Sequence, residues 1–138
     1  MKRNINIINN QIQNPISGFD AISLNNIDSI VDCSVDNILY FCIEQLDKNA
    51  AKTVFDSLVK KLRPKGSLAV KFCDLKQLCA DYSNNIISNL DLINKIQLIK
   101  NPLSTDEIIT YVNINNTKVI NISRDKNDIV ITITRTAL

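Results

Sequence analysis

At 138 residues, 45% of them hydrophobic and 22% charged, the chain has material for a single globular core and no room for a second domain, so residues 1–138 are read as one unit. A net charge of +2 supplies no strong field for nucleic acid or an anionic surface, and no apolar run approaches the roughly 20 residues that cross a bilayer. Histidine is absent, which removes the commonest general base and every Ser–His or Cys–His nucleophile pair.

The basic start Met1-Lys2-Arg3 runs into alternating Asn and Ile rather than the apolar stretch of a signal peptide, so a cytoplasmic location is expected. Ile5 and Ile7 alternate with Asn4 and Asn6, the period of a short strand. Asn9 to Ser17, with Pro15 inside and Gly18 after, reads as a loop, and Phe19 to Leu24 as a second strand broken by Asn25-Asn26. The near-continuous apolar run Asn37 to Ile43 has the pattern of a strand buried on both faces of a parallel sheet.

From Asn49 to Leu62, Ala51, Val54, Phe55, Leu58, Val59 and Leu62 recur at spacings of three and four, one face of a helix. Pro64 and Gly66 are expected to stop it in a tight Pro-Lys-Gly turn, with Ser67 to Phe72 as another buried strand. Asp74 suits an N-cap for a helix through Tyr82 that turns Leu75, Leu78 and Cys79 inward. Residues 83–103 fit helical spacing poorly. Ser104 and Glu107 form a capping box for a helix to about Asn113. Val119–Ser123 and Ile129–Thr134, either side of the polar residues 124–128, read as a closing hairpin. Strand and helix in alternation, ending in a hairpin, predict an α/β protein: a reduced Rossmann-like, mostly parallel sheet whose C-terminal hairpin is antiparallel.

The four cysteines Cys33, Cys42, Cys73 and Cys79 lie in or beside apolar segments without CxxC spacing. They are read as buried reduced thiols, and no metal site is expected. Lys60, Lys61, Arg63 and Lys65 either touch phosphate or an acidic partner, or form a solvated helix end that complements the helix dipole. No stacking aromatics lie among them, and neither nucleic acid nor membrane is expected as a partner. The excess of Asn and Ile is what an AT-rich genome produces, such as that of a phage or a streamlined bacterium.

Several short segments together resemble class I S-adenosylmethionine-dependent methyltransferases, in particular small members of polysaccharide-biosynthesis clusters. Asp32-Cys33-Ser34-Val35-Asp36-Asn37-Ile38 resembles the family's D-N-S-V-D-E-I lead into its fourth strand, and Ile43-Glu44-Gln45-Leu46 its L-E-H-L. Leu62-Arg63-Pro64-Lys65-Gly66 resembles L-K-P-G-G before the fifth strand, and Asp74-Leu75 with Leu78 and Tyr82 the D-L-x-x-L-x-x-x-Y that follows it. The last helix and hairpin correspond to the family's sixth and seventh strands. The likeness covers residues 28–136.

The resemblance implies that the first 30 residues carry the cofactor site, with a glycine-rich turn after the first strand and an acid at the end of the second. Here Ile8, Asn9 and Asn10 stand where G-C-G belongs, Ser23 where the ribose-binding acid belongs, and Gln45 for the motif histidine. The interval from Ser23 to the next motif is too short for a third strand and its helix. Glu44 is retained, either to line the cleft or as an acid at a helix start. Asp74 is read as an N-cap rather than a base, and Asp20 would serve ribose under a shifted register. The expectation is a catalytically degenerate methyltransferase-like domain with no catalytic residue and no cofactor, its vestigial cleft marked by Ile8, Asn9, Asn10, Ser23 and Glu44. It would act as a structural or protein-interaction module through protein partners or self-association, in the cytoplasm or within a virion. The alternative is an active minimal methyltransferase that binds S-adenosylmethionine, completed by a partner chain.

Overall fold

A computed structural model of the chain describes residues 2–9, 16–114 and 116–136. Strands β1 (Asn4–Ile8), β2 (Asp20–Ser23), β3 (Val35–Tyr40) and β4 (Leu62–Cys73) are parallel, and β6 (Asp128–Arg135) enters antiparallel between β4 and the edge strand β5 (Thr117–Asp125). The order β2-β1-β3-β4-β6-β5 is the doubly wound order 3-2-1-4-5-6 without its outer third strand and with an antiparallel strand inserted beside β4. Helix α1 (Lys48–Lys61) joins β3 to β4. Helices α2 (Leu75–Ser83), α3 (Asn89–Gln97) and α4 (Thr105–Ile114) lie between β4 and β5, and a 3-10 turn (Leu24–Ser29) lies between β2 and β3. The expected α/β sheet with an antiparallel C-terminal hairpin is the observed one.

The strand register sorts side chains into two faces. Ile5, Ile38, Leu68 and Ile133 form one row and Ile7, Tyr40, Val70 and Ile131 the next. All eight are buried, and Phe55 and Leu58 of α1 with Ile108 and Tyr111 of α4 join them in one core. The rings of Phe55 and Tyr111 meet at 5.5 Å between centroids. The opposite face is mixed and carries a row of bonded polar side chains. Asn37 Nδ2 donates to Asn4 Oδ1 at 2.7 Å, Ser67 Oγ donates to Asn37 Oδ1 at 2.7 Å, and Thr134 Oγ1 donates to the Gly66 carbonyl at 3.0 Å. Asn37, Leu39, Ser67, Ala69 and Lys71 on that face are only half-buried. The expectation that these strands are buried on both faces is therefore corrected: parallel sheets normally carry helices on both sides, but α1 and α4 pack on the isoleucine face.

The Pro-Lys-Gly segment also differs from expectation. Helix α1 ends at Lys61 and the chain enters β4 at once. The register passes from Val35–Leu62 to Asn37–Ser67, so Arg63 to Gly66 bulge out of the ladder. Lys65, not the glycine, holds the left-handed backbone, at φ 68°. A Cβ on Gly66 would stand 2.8 Å from the Arg63 carbonyl and 3.0 Å from that of Asp36. The glycine permits close backbone approach rather than chain reversal.

Other boundaries move by smaller amounts. The second strand is Asp20–Ser23, and the Asn25-Asn26 break falls inside the 3-10 turn. Asp74 caps α2, its Oδ1 accepting from Gln77 N at 3.3 Å. Of the three residues expected inward on α2, only Leu78 is buried. Cys79 is exposed because the helix turns Leu78 and Asp81 toward the protein. Ser104 caps α4 by accepting from Glu107 N at 3.3 Å. The hairpin turn narrows to Lys126-Asn127, with Lys126 at φ 57°. Helix α3 arises in the ambiguous stretch 83–103 and has no buried residue, which is why its apolar spacing was illegible.

The last strand locks the central helix. Arg135 Nη1 lies 3.3 Å from the Val59 carbonyl, 3.2 Å from that of Lys60 and 2.7 Å from that of Leu62, and 3.4 Å from Cys33 Sγ. A cation at the C-terminal carbonyls of α1 satisfies orphan acceptors and complements the helix dipole. Replacing Arg135 with Met should lower unfolding free energy in urea by about 2–3 kcal/mol, the scale of charge-assisted hydrogen bonds. Gly66→Ala should cost about 1–3 kcal/mol, the scale of overpacking, because its contacts are backbone carbonyls that cannot swing aside.

Candidate functional site

In a doubly wound sheet ligands sit outside the carboxyl ends of the strands where the order reverses, which here is between β1 and β3. Ile8 ends β1 and is half-buried, and Asn9 follows it. Asn9 Nδ2 donates to Gln45 Oε1 at 3.1 Å, across from the short 3-10 turn Ile43–Gln45 that follows β3. Cys42 is fully buried, with its Sγ 3.7 Å from the Ile7 carbonyl. Burial pushes the Cys42 thiol up to about 12, so the protonated thiol rather than the reactive thiolate predominates at neutral pH. Asn10 lies outside the described residues.

Ser23 sits beside Ile8 in the parallel register. Its hydroxyl accepts from Asn25 N at 3.3 Å and caps the 3-10 turn. Asp20, the other candidate acid, pairs with Ile5 at the amino end of β2, away from the carboxyl ends where a ribose would lie. Glu44 reaches to the other side of β3: its Oε2 accepts from Cys73 N at 2.9 Å, at the end of β4. Its own carbonyl accepts from Lys100 N at 2.8 Å and Asn101 N at 3.1 Å. One residue thereby holds the ends of β3 and β4 and the segment leading to α4. Burial pushes its carboxyl above the usual range, opposed by the Cys73 amide and Lys95 and reinforced by Asp128. Asp74 forms an ion pair with Arg124 at 3.0 Å besides capping α2.

Register and hydrogen bonding thus bring Ile8 to Ser23 and Asn9 to Gln45, and draw Glu44 away from them. Sequence reasoning noted Gln45 only as a departure from a motif and gave Cys42 no role. A short polar side chain just after β1 and another just after β3 was the available signal. It also missed the charges around the hairpin: Lys95 pairs with Asp128 at 2.7 Å, and Lys71 with Asp125 at 3.1 Å while lying 5.4 Å from the centre of the Phe41 ring. In the basic segment, Lys61 pairs with Asp32 at 2.8 Å and Arg63 with Asp36 at 3.3 Å. Of the cysteines expected buried, Cys42 and Cys73 are so, Cys33 is half-buried and Cys79 exposed, all as free thiols. Among the described residues no group of three or more acidic or thiol side chains is placed to hold a metal ion, and no helix is long and apolar enough to cross a membrane.

No protein-family model matches the chain, and no curated protein matches it. Solved structures do. A SAM-dependent methyltransferase from Archaeoglobus fulgidus superposes with a TM-score of 0.58 at 10% identity, over 85% of this chain and 68% of that one. A protein from Pyrococcus horikoshii OT3 gives 0.61 at 14% identity, over 87% and 61%. An O-methyltransferase family protein from Burkholderia thailandensis gives 0.58 at 16%, over 86% and 36%. The chain has the fold of the class I S-adenosylmethionine-dependent methyltransferases, and it spans only about three fifths of the first archaeal structures it resembles.

A raised folded-state carboxyl means that the native protein binds more protons than the unfolded chain between the usual value of 4.5 and the folded one. Stability from Glu44 therefore falls as pH rises through that window. Glu44→Gln keeps an acceptor for Cys73 N and removes the buried charge. Its stability relative to the native protein should increase between pH 4 and pH 7 in urea titrations, whereas Glu44→Ala should lose about 1–2 kcal/mol at either pH.

Proposed function

We propose that this chain is a catalytically degenerate methyltransferase-like domain that serves as a structural or protein-interaction module, of the kind recruited to a phage or other multi-protein assembly. One observation carries the reading: the described polar groups at the expected cofactor site are engaged within the chain. Asn9 is bonded to Gln45, Ser23 to Asn25 N and Glu44 to Cys73 N. Ile8 stands where the backbone of a binding turn must come close to the ligand, an approach that glycine allows and a branched side chain obstructs. These residues do not fit S-adenosylmethionine, and no methyl-transfer step is assigned to them.

The binding role rests on a separate feature. Ile86, Leu90, Ile93, Ile96 and Leu98, on and beside α3, are all exposed. Contiguous exposed apolar side chains on a helix mark surfaces that meet another protein. Protein partners or self-association follow from this reading, in the cytoplasm or within a virion, with neither nucleic acid nor membrane among the partners.

Calorimetric titration with S-adenosylmethionine and with its demethylated product tests the proposal. The chain alone is expected to show no binding tighter than about 1 mM. Micromolar affinity would overturn the proposal and favour the alternative, a minimal active methyltransferase.

A further inference from the structure

A second concave site lies away from the sheet's switch point, between α2, the loop that follows it and the hairpin turn. Its volume is about 580 Å³, within the range of small-molecule sites. Gln77, Asp81, Ile86, Ile87, Arg124 and Lys126 line it. Asp81 is the unusual member. It is 8% exposed, its Oδ1 accepts from Gln77 Nε2 at 2.8 Å, and among the described residues it forms no ion pair. A carboxylate this buried is costly without a cation beside it.

The remaining wall complements that charge. Lys126, held at the turn by a left-handed backbone, makes no hydrogen bond or ion pair among the described residues. Arg124 reaches Asp74 through Nη2 at 3.0 Å, which leaves the rest of its planar fork for a second acceptor. Ile86 is 68% exposed and offers, with Ile87, the apolar surface of the site.

We propose that this cavity binds a small zwitterion with an apolar body, the chemistry of a free aliphatic amino acid. Asp81 and the Gln77 carbonyl oxygen receive its ammonium group, Lys126 and Arg124 its carboxylate, and Ile86 and Ile87 its side chain. A ligand carrying only one of the two charges leaves an opposite charge in the site without a partner, so both groups are needed for recognition. The site is independent of the vestigial crevice and stands or falls separately from it.

Isothermal titration of the whole chain with a panel of apolar L-amino acids tests this, with isopentylamine and isocaproate as analogues of leucine lacking the carboxylate and the ammonium group. Leucine is expected to bind, and each analogue to bind about tenfold more weakly than leucine or worse. Asp81→Asn and Lys126→Asn should each weaken the amino acid by about tenfold. Lys126→Asn alters an exposed turn where asparagine accepts the same backbone, so it decides the matter if Asp81→Asn does not fold. No binding by any panel member at millimolar concentration would overturn the proposal, as would equal binding of an analogue or unchanged affinity in Lys126→Asn.

Discussion

The sheet is parallel at its centre, and α1 and α4 pack on its isoleucine face; much of the molecule follows from that. A parallel sheet with both faces covered can be apolar throughout. Here the strands alternate, with large buried apolar residues toward α1 and α4 and, away from them, asparagine, serine and threonine interspersed with Leu39 and Ala69. The polar face is not simply left to water, because Asn4, Asn37 and Ser67 bond to one another from strand to strand. Each side chain satisfies the next, and the row fixes the register of β1, β3 and β4, since a slip by one residue would turn the isoleucines outward. The alternation Asn4-Ile5-Asn6-Ile7 that an AT-rich genome would explain by composition therefore also has a place in the architecture.

The carboxyl end of the sheet is held by local ties. Cys42 is packed near the end of β1, and Asn9 and Gln45 join the two segments that follow β1 and β3. Glu44 extends the same arrangement to β4 and to the approach of α4. In a fold that binds a nucleotide-like cofactor this region is open and lined by backbone amides. Here side chains connect across it. The retained glutamate has a structural account that needs no ligand: its carboxylate takes the Cys73 amide and its carbonyl takes two more.

What was legible in the sequence was whatever depends on near neighbours in the chain. Helix α1 was read from Ala51, Phe55 and Leu58, the α2 cap from Asp74, and the hairpin from alternating isoleucines. The absent third strand followed from the short interval after Ser23. What was not legible depends on pairs far apart in sequence. The burial of one sheet face, the contact of Asn9 with Gln45 and of Glu44 with Cys73, and the capping of α1 by Arg135 all join residues that local periodicity cannot relate. The Pro-Lys-Gly segment looked like a turn because proline and glycine usually mark one. Its glycine is demanded instead by the carbonyls of Arg63 and Asp36. Helix α3 was ambiguous because its apolar residues do not face the core, so no buried stripe disciplines their spacing.

The central claim is that the described polar groups beside the switch point bond within the protein itself, and the cysteines report on the packing there. Cys79 is exposed, Cys33 half-buried, and Cys42 buried with its Sγ 3.7 Å from the Ile7 carbonyl, near the end of β1. Native-state labelling with a thiol reagent, mapped by mass spectrometry over time, separates them. The account predicts that Cys79 is modified first and Cys33 more slowly, with Cys42 modified only as fast as the protein unfolds. Modification of Cys42 at a rate close to that of Cys79, in protein that remains folded, would show that the packing there is open and contradict it.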